Sequence, residues 1–183
     1  MSGDIRYAIM KREDVPALVS SFISEGWSKP TTLFYQYLDD QDQGKRICWT
    51  AFYQGQFSGY VTLAWYSLYP FFNEKKIPEI MDLNVLSPFR RKGIGSALLA
   101  EAERTGLLRS NCVGIGVGLS EDYGSAQRLY VKRGYRPDGK GITYNYQKVA
   151  HGSHILLDDD LILWLIKERD MGSSDLSSFY ESC

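Results

Sequence analysis

The segment Arg90–Ser96 combines three cationic side chains with two closely spaced glycines. It runs into a stretch of helical periodicity, in which Ile94, Leu98 and Ala102 recur on one face and which we expect to end near Gly106. The start of a helix exposes backbone N–H groups and a partial positive charge, and glycines let an anion approach that backbone. The pattern predicts a site for a ligand with several phosphates. A solvated basic loop is the alternative.

The spacing of the glycines separates this loop from two better-known phosphate sites. Neither the G-x-x-x-x-G-K-[ST] pattern of nucleotide triphosphatases nor the G-x-G-x-x-G pattern of dinucleotide-binding folds is present here. A nucleotide triphosphatase loop and a dinucleotide-binding loop are therefore not predicted here.

A predicted strand precedes the loop, and a further predicted helix follows it about 30 residues beyond. In Glu79–Leu86, apolar residues alternate with Asp82 and Asn84, which is the period of a half-buried strand. Further along, Ser125–Tyr135 has helical periodicity, and Gly134 stands where a helix commonly ends.

Together these segments resemble the GNAT superfamily of acyl-CoA-dependent N-acyltransferases. The pattern that carries the resemblance is a strand, an R-x-x-G-x-G loop opening a helix, another strand, and a helix ending in L-Y-x-x-x-G-Y. The resemblance spans residues 4–167 and is strongest between Leu83 and Tyr135. It implies a mixed α/β fold with a mostly antiparallel sheet of about seven strands, splayed between strands 4 and 5 and flanked by about four helices.

The resemblance also implies an acetyl-CoA site. The pyrophosphate would lie on backbone amides of the loop, and the pantetheine arm would pair with the end of the preceding strand. An N–H near Val85 would stabilise the negative charge that develops on the thioester oxygen. The implied cofactor-binding residues are Leu83, Asn84, Val85, Arg90, Arg91, Lys92, Gly93, Ile94, Gly95 and Ser96.

Two catalytic residues follow from the resemblance. Tyr130 matches the helical tyrosine that protonates the departing thiolate, although its spacing also suits a core aromatic residue. Glu79 occupies a strand position at which some members carry a catalytic glutamate, and partial desolvation there would raise its pKa. A glutamate in water at the strand start, or a water chain as the base, is the alternative. Asp82 is second choice, because it points to the opposite face unless a bulge intervenes.

The implied activity is transfer of an acetyl group from acetyl-CoA to a primary amine of a small molecule or peptide, by direct attack in a ternary complex. A non-catalytic acyl-CoA-binding or regulatory module is the alternative. Asp158–Asp160 suits either a cationic acceptor or a polar turn. One departure from the family pattern is Tyr123, beside Asp122, where an asparagine that touches the cofactor is common.

The composition argues against nucleic-acid binding, membrane-surface binding, disulfides and metal sites. The net charge of −1 and pI near 6.1 give no electrostatic case for nucleic acid or a membrane surface. The three cysteines are widely spaced, without a C-x-x-C pair, which argues against disulfides or zinc and favours a reducing cytoplasm. His151 and His154 lack further ligands nearby, so no metal site is predicted.

The remaining elements complete one catalytic domain over residues 1–168, followed by a flexible tail over 169–183. A homodimer is left open. The predicted hairpin joins Ile47–Tyr53 to Phe57–Trp65 through a three-residue turn, and single strands are expected at Ile142–Val149 and Leu161–Ile166.

Overall fold

The computed structural model describes residues 5–169. Contacts divide them into two compact units. The first comprises the described residues up to Trp65 together with Ile80–Arg104, and the second comprises Tyr66–Glu79 together with the described residues from Thr105 onwards. Apart from Arg169, the predicted tail lies outside the described residues.

Eight strands and five α-helices are present in residues 5–169. In chain order they are β1 (Ile5–Ile9), α1 (Val15–Ser24), α2 (Thr31–Asp42), β2 (Arg46–Tyr53), β3 (Gln56–Ala64), α3 (Pro70–Lys75), β4 (Glu79–Val85), α4 (Ile94–Arg109), β5 (Cys112–Gly118), α5 (Gly124–Lys132), β6 (Arg136–Tyr144), β7 (Gln147–Lys148) and β8 (Leu161–Glu168). The predicted mixed α/β class is confirmed. Helix α3 was not predicted, because six residues are too few to establish a helical period.

In the first unit the strand order is β1-β2-β3-β4. β1 and β2 pair antiparallel, as do β2 and β3. Helices α1 and α2 supply aromatic residues to the core of this unit, where the ring of Phe22 lies 6.1 Å from that of Phe34 and 5.7 Å from that of Tyr60. Phe22 belongs to the apolar stripe of α1, and this stripe explains why the helix packs as it does.

The hairpin turn between β2 and β3 is shorter than predicted. Only Gln54 and Gly55 form it, with φ values of 51° and 78°, and Gln56 already pairs with Tyr53. Two-residue turns with positive φ match the right-handed twist of the strands that they join. The predicted three-residue turn is therefore wrong by one residue.

In the second unit the strand order is β5-β8-β6-β7, and all three pairings are antiparallel. The predicted single strand over 142–149 is instead divided between β6 and β7 by a turn at Asn145 and Tyr146, both at positive φ. Strand β6 begins earlier, at Arg136, and its register shifts between Pro137 and Ile142. The turn was missed because neither of its residues is a glycine or proline.

Helix α4 continues past its predicted end. It includes Gly106, which is buried, and ends at Arg109. Arg169, assigned to the tail by sequence, follows β8 and contacts this region: its amide donates to the Asn111 carbonyl at 2.7 Å, and its guanidinium donates to the carbonyls of Leu107 and Ser110.

Among residues 5–169, no helix is both long and apolar enough to span a bilayer.

Candidate functional site

The predicted phosphate loop has the backbone that its glycines suggest. Arg91 and Gly93 adopt positive φ values of 59° and 86°, which turn the chain into α4 at Ile94. The Ala97 amide donates to the Gly93 carbonyl at 3.0 Å, so the amides immediately before Ala97 fall in the first helical turn, which lacks intrahelical acceptors. A Cβ added to Gly93 would meet no atom within 4 Å. This open, positively polarised backbone fits a pyrophosphate.

The cations of the loop are arranged around aromatic side chains of the first unit. Arg90 donates from Nε to the Val85 carbonyl at 3.2 Å, and its guanidinium lies 5.5 Å from the Trp27 ring centroid. Lys92 Nζ lies 5.0 Å from the Tyr53 ring centroid. Two predicted site residues, Arg90 and Val85, are therefore in direct contact.

The other loop residues contribute differently. The Arg91 side chain is exposed and has positive charge to offer a ligand. The Ile94 side chain is 1% exposed and belongs to the core, so only its backbone amide is available. Ser96 is half-buried in the first turn of α4.

Strand β4 precedes the loop in the chain, and its end lies close to the backbone of β3. An added Cβ at Gly59 would lie 2.4 Å from the Asn84 carbonyl oxygen, and the Leu86 amide donates to the Ser58 carbonyl at 3.0 Å. Only glycine fits at position 59 without moving β4. Residues 83–85 are half-buried, which leaves part of this strand end accessible to a ligand.

A left-handed residue interrupts β4. Asp82 has a φ of 53° within the strand, and residues 81–85 are all half-buried instead of alternating in burial. The predicted alternation is thus not seen, because the local backbone change breaks the period of two. The sequence analysis placed Asp82 on the opposite face unless a bulge intervenes, and the positive φ of Asp82 is an irregularity of that kind.

Asp82 lies in a cluster of polar and aromatic side chains that the sequence did not reveal. Tyr37 donates its hydroxyl to Asp82 Oδ2 at 2.5 Å, and Lys29 Nζ lies 3.6 Å from Oδ1. Lys29 also donates to the Tyr60 hydroxyl at 3.0 Å. Burial, followed by the charge of Asp82, raises the pKa of Tyr37 above its ordinary value, so Tyr37 is a hydrogen-bond donor here.

Glu79 is buried, as expected for a desolvated carboxylate. Its residue is 4% exposed, and Ser67 donates its hydroxyl to Glu79 Oε2 at 2.5 Å. Ser67 is itself positioned by the Tyr69 amide, which donates to Ser67 Oγ at 2.9 Å. This burial does not agree with the alternative of a glutamate in water. Ser67 carries no sequence signal, because its contact with Glu79 depends on the chain path around α3.

Tyr130 lies in α5, whose end is formed as Gly134 predicted. Gly134 has a φ of 86°, its amide donates to the Val131 carbonyl, and the Tyr135 amide donates to the Tyr130 carbonyl, each at 3.0 Å. Tyr130 is 5% exposed, and burial, followed by the nearby Tyr123, raises its pKa. Its hydroxyl makes no hydrogen bond within residues 5–169. In the part of the chain that the structure describes, Tyr130 is therefore a protonated phenol whose hydroxyl has no acceptor.

The family's asparagine position is occupied by a structural tyrosine. Tyr123 donates its hydroxyl to Asp159 Oδ1 at 2.9 Å. Its ring packs on Gly118, where an added Cβ would lie only 2.5 Å from the ring. Asp158 likewise accepts the Tyr144 hydroxyl at 3.0 Å. These contacts favour the polar-turn reading of the acidic segment.

The described cysteines are not activated nucleophiles. Within residues 5–169, Cys48 and Cys112 are buried and form no disulfide, and burial raises the pKa of Cys48 to about 12. A thiol with that pKa is almost entirely protonated near neutral pH. Cys183 lies outside the described residues.

Solved structures with the same architecture come from several bacteria. A ribosomal-protein-alanine N-acetyltransferase from Brucella melitensis is 20% identical, with 91% of this chain and 99% of that chain covered and a TM-score of 0.64. A GNAT-family acetyltransferase from Streptococcus pneumoniae is 16% identical, with coverage of 91% and 100% and a TM-score of 0.63. A Salmonella typhimurium protein solved with its cofactor acetyl-CoA is 14% identical, with coverage of 93% and 96% and a TM-score of 0.65. At these identities the likeness establishes the fold.

Sequence comparisons establish the family. A search of curated proteins gave no significant match. The model of the acetyltransferase (GNAT) family, however, matches residues 15–135, which is more than half of the chain and includes both the loop and Tyr130. The family uses acetyl-CoA, which agrees with the geometry of the loop at the start of α4. This chain belongs to the GNAT acetyltransferase family.

Proposed function

We propose that this protein transfers an acetyl group from acetyl-CoA to a primary amine of a small molecule or peptide, by direct attack in a ternary complex. The observation that carries the amine assignment is the buried Glu79 carboxylate, held by Ser67 at 2.5 Å. An ammonium group must lose a proton before its nitrogen attacks a carbonyl, and a desolvated carboxylate is a suitable base. Glu79 accepts that proton directly or through water.

The loop and strand β4 position the co-substrate, which supplies the activated thioester. Backbone amides of Gly93, Gly95 and Ser96 bind its pyrophosphate, and Arg91 adds positive charge. The backbone of residues 83–85 pairs with the pantetheine arm and fixes its register. An amide near Val85 stabilises the negative charge that develops on the thioester oxygen.

Tyr130 protonates the departing thiolate. Its buried position and raised pKa keep the phenol protonated at neutral pH, and its hydroxyl has no structural hydrogen bond in the described part of the chain. A tyrosine hydroxyl without a competing acceptor among the described residues can donate its proton to the developing thiolate.

The proposal is tested by measuring release of free CoA thiol with a panel of amines. The panel includes a peptide with an N-terminal alanine, because the Brucella melitensis neighbour is a ribosomal-protein-alanine N-acetyltransferase. Glu79→Gln is expected to lower kcat about 100-fold. Asp82→Asn, which keeps a residue tolerant of positive φ, tests the second-choice base, and Glu74→Gln at an exposed position of α3 is the matched control.

Three outcomes separate the alternatives. A larger loss of kcat in Asp82→Asn than in Glu79→Gln assigns the base to Asp82. Unchanged kcat in both variants leaves water as the base. Calorimetric binding of CoA without turnover of any amine supports the non-catalytic module. Analytical ultracentrifugation of the same samples tests the homodimer.

A further inference from the structure

The second unit contains a cavity of about 260 Å³ between the start of α3 and the β6–β7 hairpin. Its lining includes Tyr69, Phe71, Lys140, Thr143, Tyr146 and Lys148. Ligand pockets for drug-sized molecules typically occupy about 300–1,000 Å³, so this cavity suits a ligand of about amino-acid size. None of its lining residues belongs to the acetyl-CoA loop.

Aromatic rings that line the cavity pack on Trp164. The Tyr69 ring stacks on Trp164 with centroids 4.3 Å apart and an interplanar angle of 3°. Trp164 is fixed in turn by its indole N–H, which donates to Thr143 Oγ1 at 2.8 Å, and the Tyr146 ring lies 5.9 Å from it. Such a wall favours a ligand with a flat apolar body.

The charged side chains that line the cavity are both lysines. Lys140 Nζ lies 4.8 Å from the Phe71 ring centroid, and neither Lys140 nor Lys148 forms an ion pair within residues 5–169. The neighbouring carboxylate of Asp138 already accepts two hydrogen bonds, from the Tyr69 hydroxyl at 2.8 Å and from the Lys140 amide at 2.8 Å. The ammonium groups are therefore available to an anionic group of a ligand.

The cavity is linked to the proposed base by two hydrogen bonds. The Tyr69 amide donates to Ser67 Oγ, and the Ser67 hydroxyl donates to Glu79 Oε2. The residue that forms the aromatic wall thus also positions the hydroxyl that holds the carboxylate. A ligand seated against Tyr69 lies on the chain segment that orients Glu79.

We propose that this cavity selects the amine acceptor, and that the acceptor is a small amine carrying a carboxylate and an aromatic or similarly flat apolar body. The inference rests on the proposed amine acetylation. Lys140 and Lys148 pair with the carboxylate, and the Tyr69 wall contacts the apolar body.

Binding is tested first with a ligand that cannot be acetylated. 3-Phenylpropionate has the carboxylate and the ring but no amine, and 3-phenylpropanamide is its neutral match. Calorimetry should give a Kd for the acid about fivefold lower than for the amide, because two exposed cations each contribute modestly. Lys140→Gln combined with Lys148→Gln should abolish this preference, whereas Lys132→Gln on α5 should retain it. Equal affinity of acid and amide, or a preference that survives the double substitution, overturns the proposal.

Kinetics then separate this inference from the proposed function. Phenylalanine should have a kcat/KM about fivefold above that of phenethylamine in the unsubstituted protein, with no difference in the double variant. 3-Phenylpropionate should inhibit competitively against the amine. Carboxylate-dependent binding without acetylation of any amine contradicts the proposed function and retains the anion site. Amine acetylation without competition by the acid overturns the role of the cavity in acceptor selection.

Discussion

Glu79 and Asp82 illustrate how two carboxylates on one strand acquire different surroundings. Glu79 is 4% exposed and held by a serine hydroxyl, whereas Asp82 sits at a left-handed residue and meets a tyrosine and a lysine. A strict period of two assigns them to opposite faces, and the irregular backbone at Asp82 removes that simple rule. At the residue scale, the environment therefore decides which group can act as a base.

At the same scale, Tyr130→Phe should lower kcat by roughly 100-fold with little change in the KM for acetyl-CoA, because only the acid function is removed. The pKa of Tyr130 is raised, so its protonated form persists to higher pH than that of a free tyrosine. The kcat of the unsubstituted protein should therefore not fall through loss of this proton below about pH 10. Steady-state rates between pH 6 and 10 test this, with Tyr35→Phe at an exposed position of α2 as the control. An unchanged kcat in Tyr130→Phe contradicts the acid role.

At the scale of elements, two glycines serve β4 and α4 in different ways. Gly93 provides a positive φ at the loop, with open space on its Cβ side. Gly59 is needed because it has no side chain, and the Asn84 backbone lies directly against it. The first glycine is predictable from its motif, whereas the second requires knowledge of which strand lies beside β3.

Gly93→Ala should weaken acetyl-CoA binding in addition to straining the backbone. A left-handed alanine costs about 1 kcal/mol of stability. Gly44→Ala is the matched control, because Gly44 also has positive φ, 69°, and open space but lies far from the loop in sequence. Both variants should lose a similar free energy of unfolding in urea, and only Gly93→Ala should raise the KM for acetyl-CoA. Equal KM values in the two variants would remove Gly93 from the binding site.

Gly59→Ala should destabilise the first unit by about 2 kcal/mol or more, because its Cβ would overlap the backbone of β4 instead of a movable side chain. Gly124→Ala is the contrasting control. Gly124 has helical dihedral angles and open space, so alanine there should be neutral or stabilise the protein by about 0.4–1 kcal/mol. Urea unfolding followed by circular dichroism compares the two. Similar stability of the two variants would show that β4 can shift away from β3.

At the scale of the whole molecule, buried phenols couple stability to alkaline pH. Burial is the first cause of a raised pKa in Tyr37, Tyr60, Tyr69 and Tyr130. In the unfolded chain these tyrosines ionise near pH 10, whereas in the folded protein they stay protonated to higher pH. Their contribution is therefore complete below about pH 10 and is lost as the pH rises above it.

The free energy of unfolding should consequently fall above pH 10, by up to about 1.4 kcal/mol per pH unit for each such tyrosine. Urea unfolding at intervals between pH 8 and 11 measures this slope. Tyr130→Phe should reduce this slope by the contribution of one tyrosine, up to about 1.4 kcal/mol per pH unit. A stability that stays constant to pH 11 would contradict the burial of these phenols.

The sequence alone determined the features that depend on local backbone chemistry. The loop glycines and the end of α5 at Gly134 each follow from residue types within a few positions, and the family pattern depends on the same short segments. Element bounds were less accurate, both at Asn145 and Tyr146, where the turn lacks glycine and proline, and at Gly55 and Gly106, where a glycine is present.

Tertiary structure decided which side chains meet. Ser67 holds Glu79 because the chain turns around α3, and Lys29 and Tyr37 reach Asp82 from α2 and the segment before it. The lysines of the cavity join an aromatic wall about 70 residues away in sequence. Contacts between distant segments leave no local pattern, because each partner is an ordinary residue for its own element until the fold brings the two together.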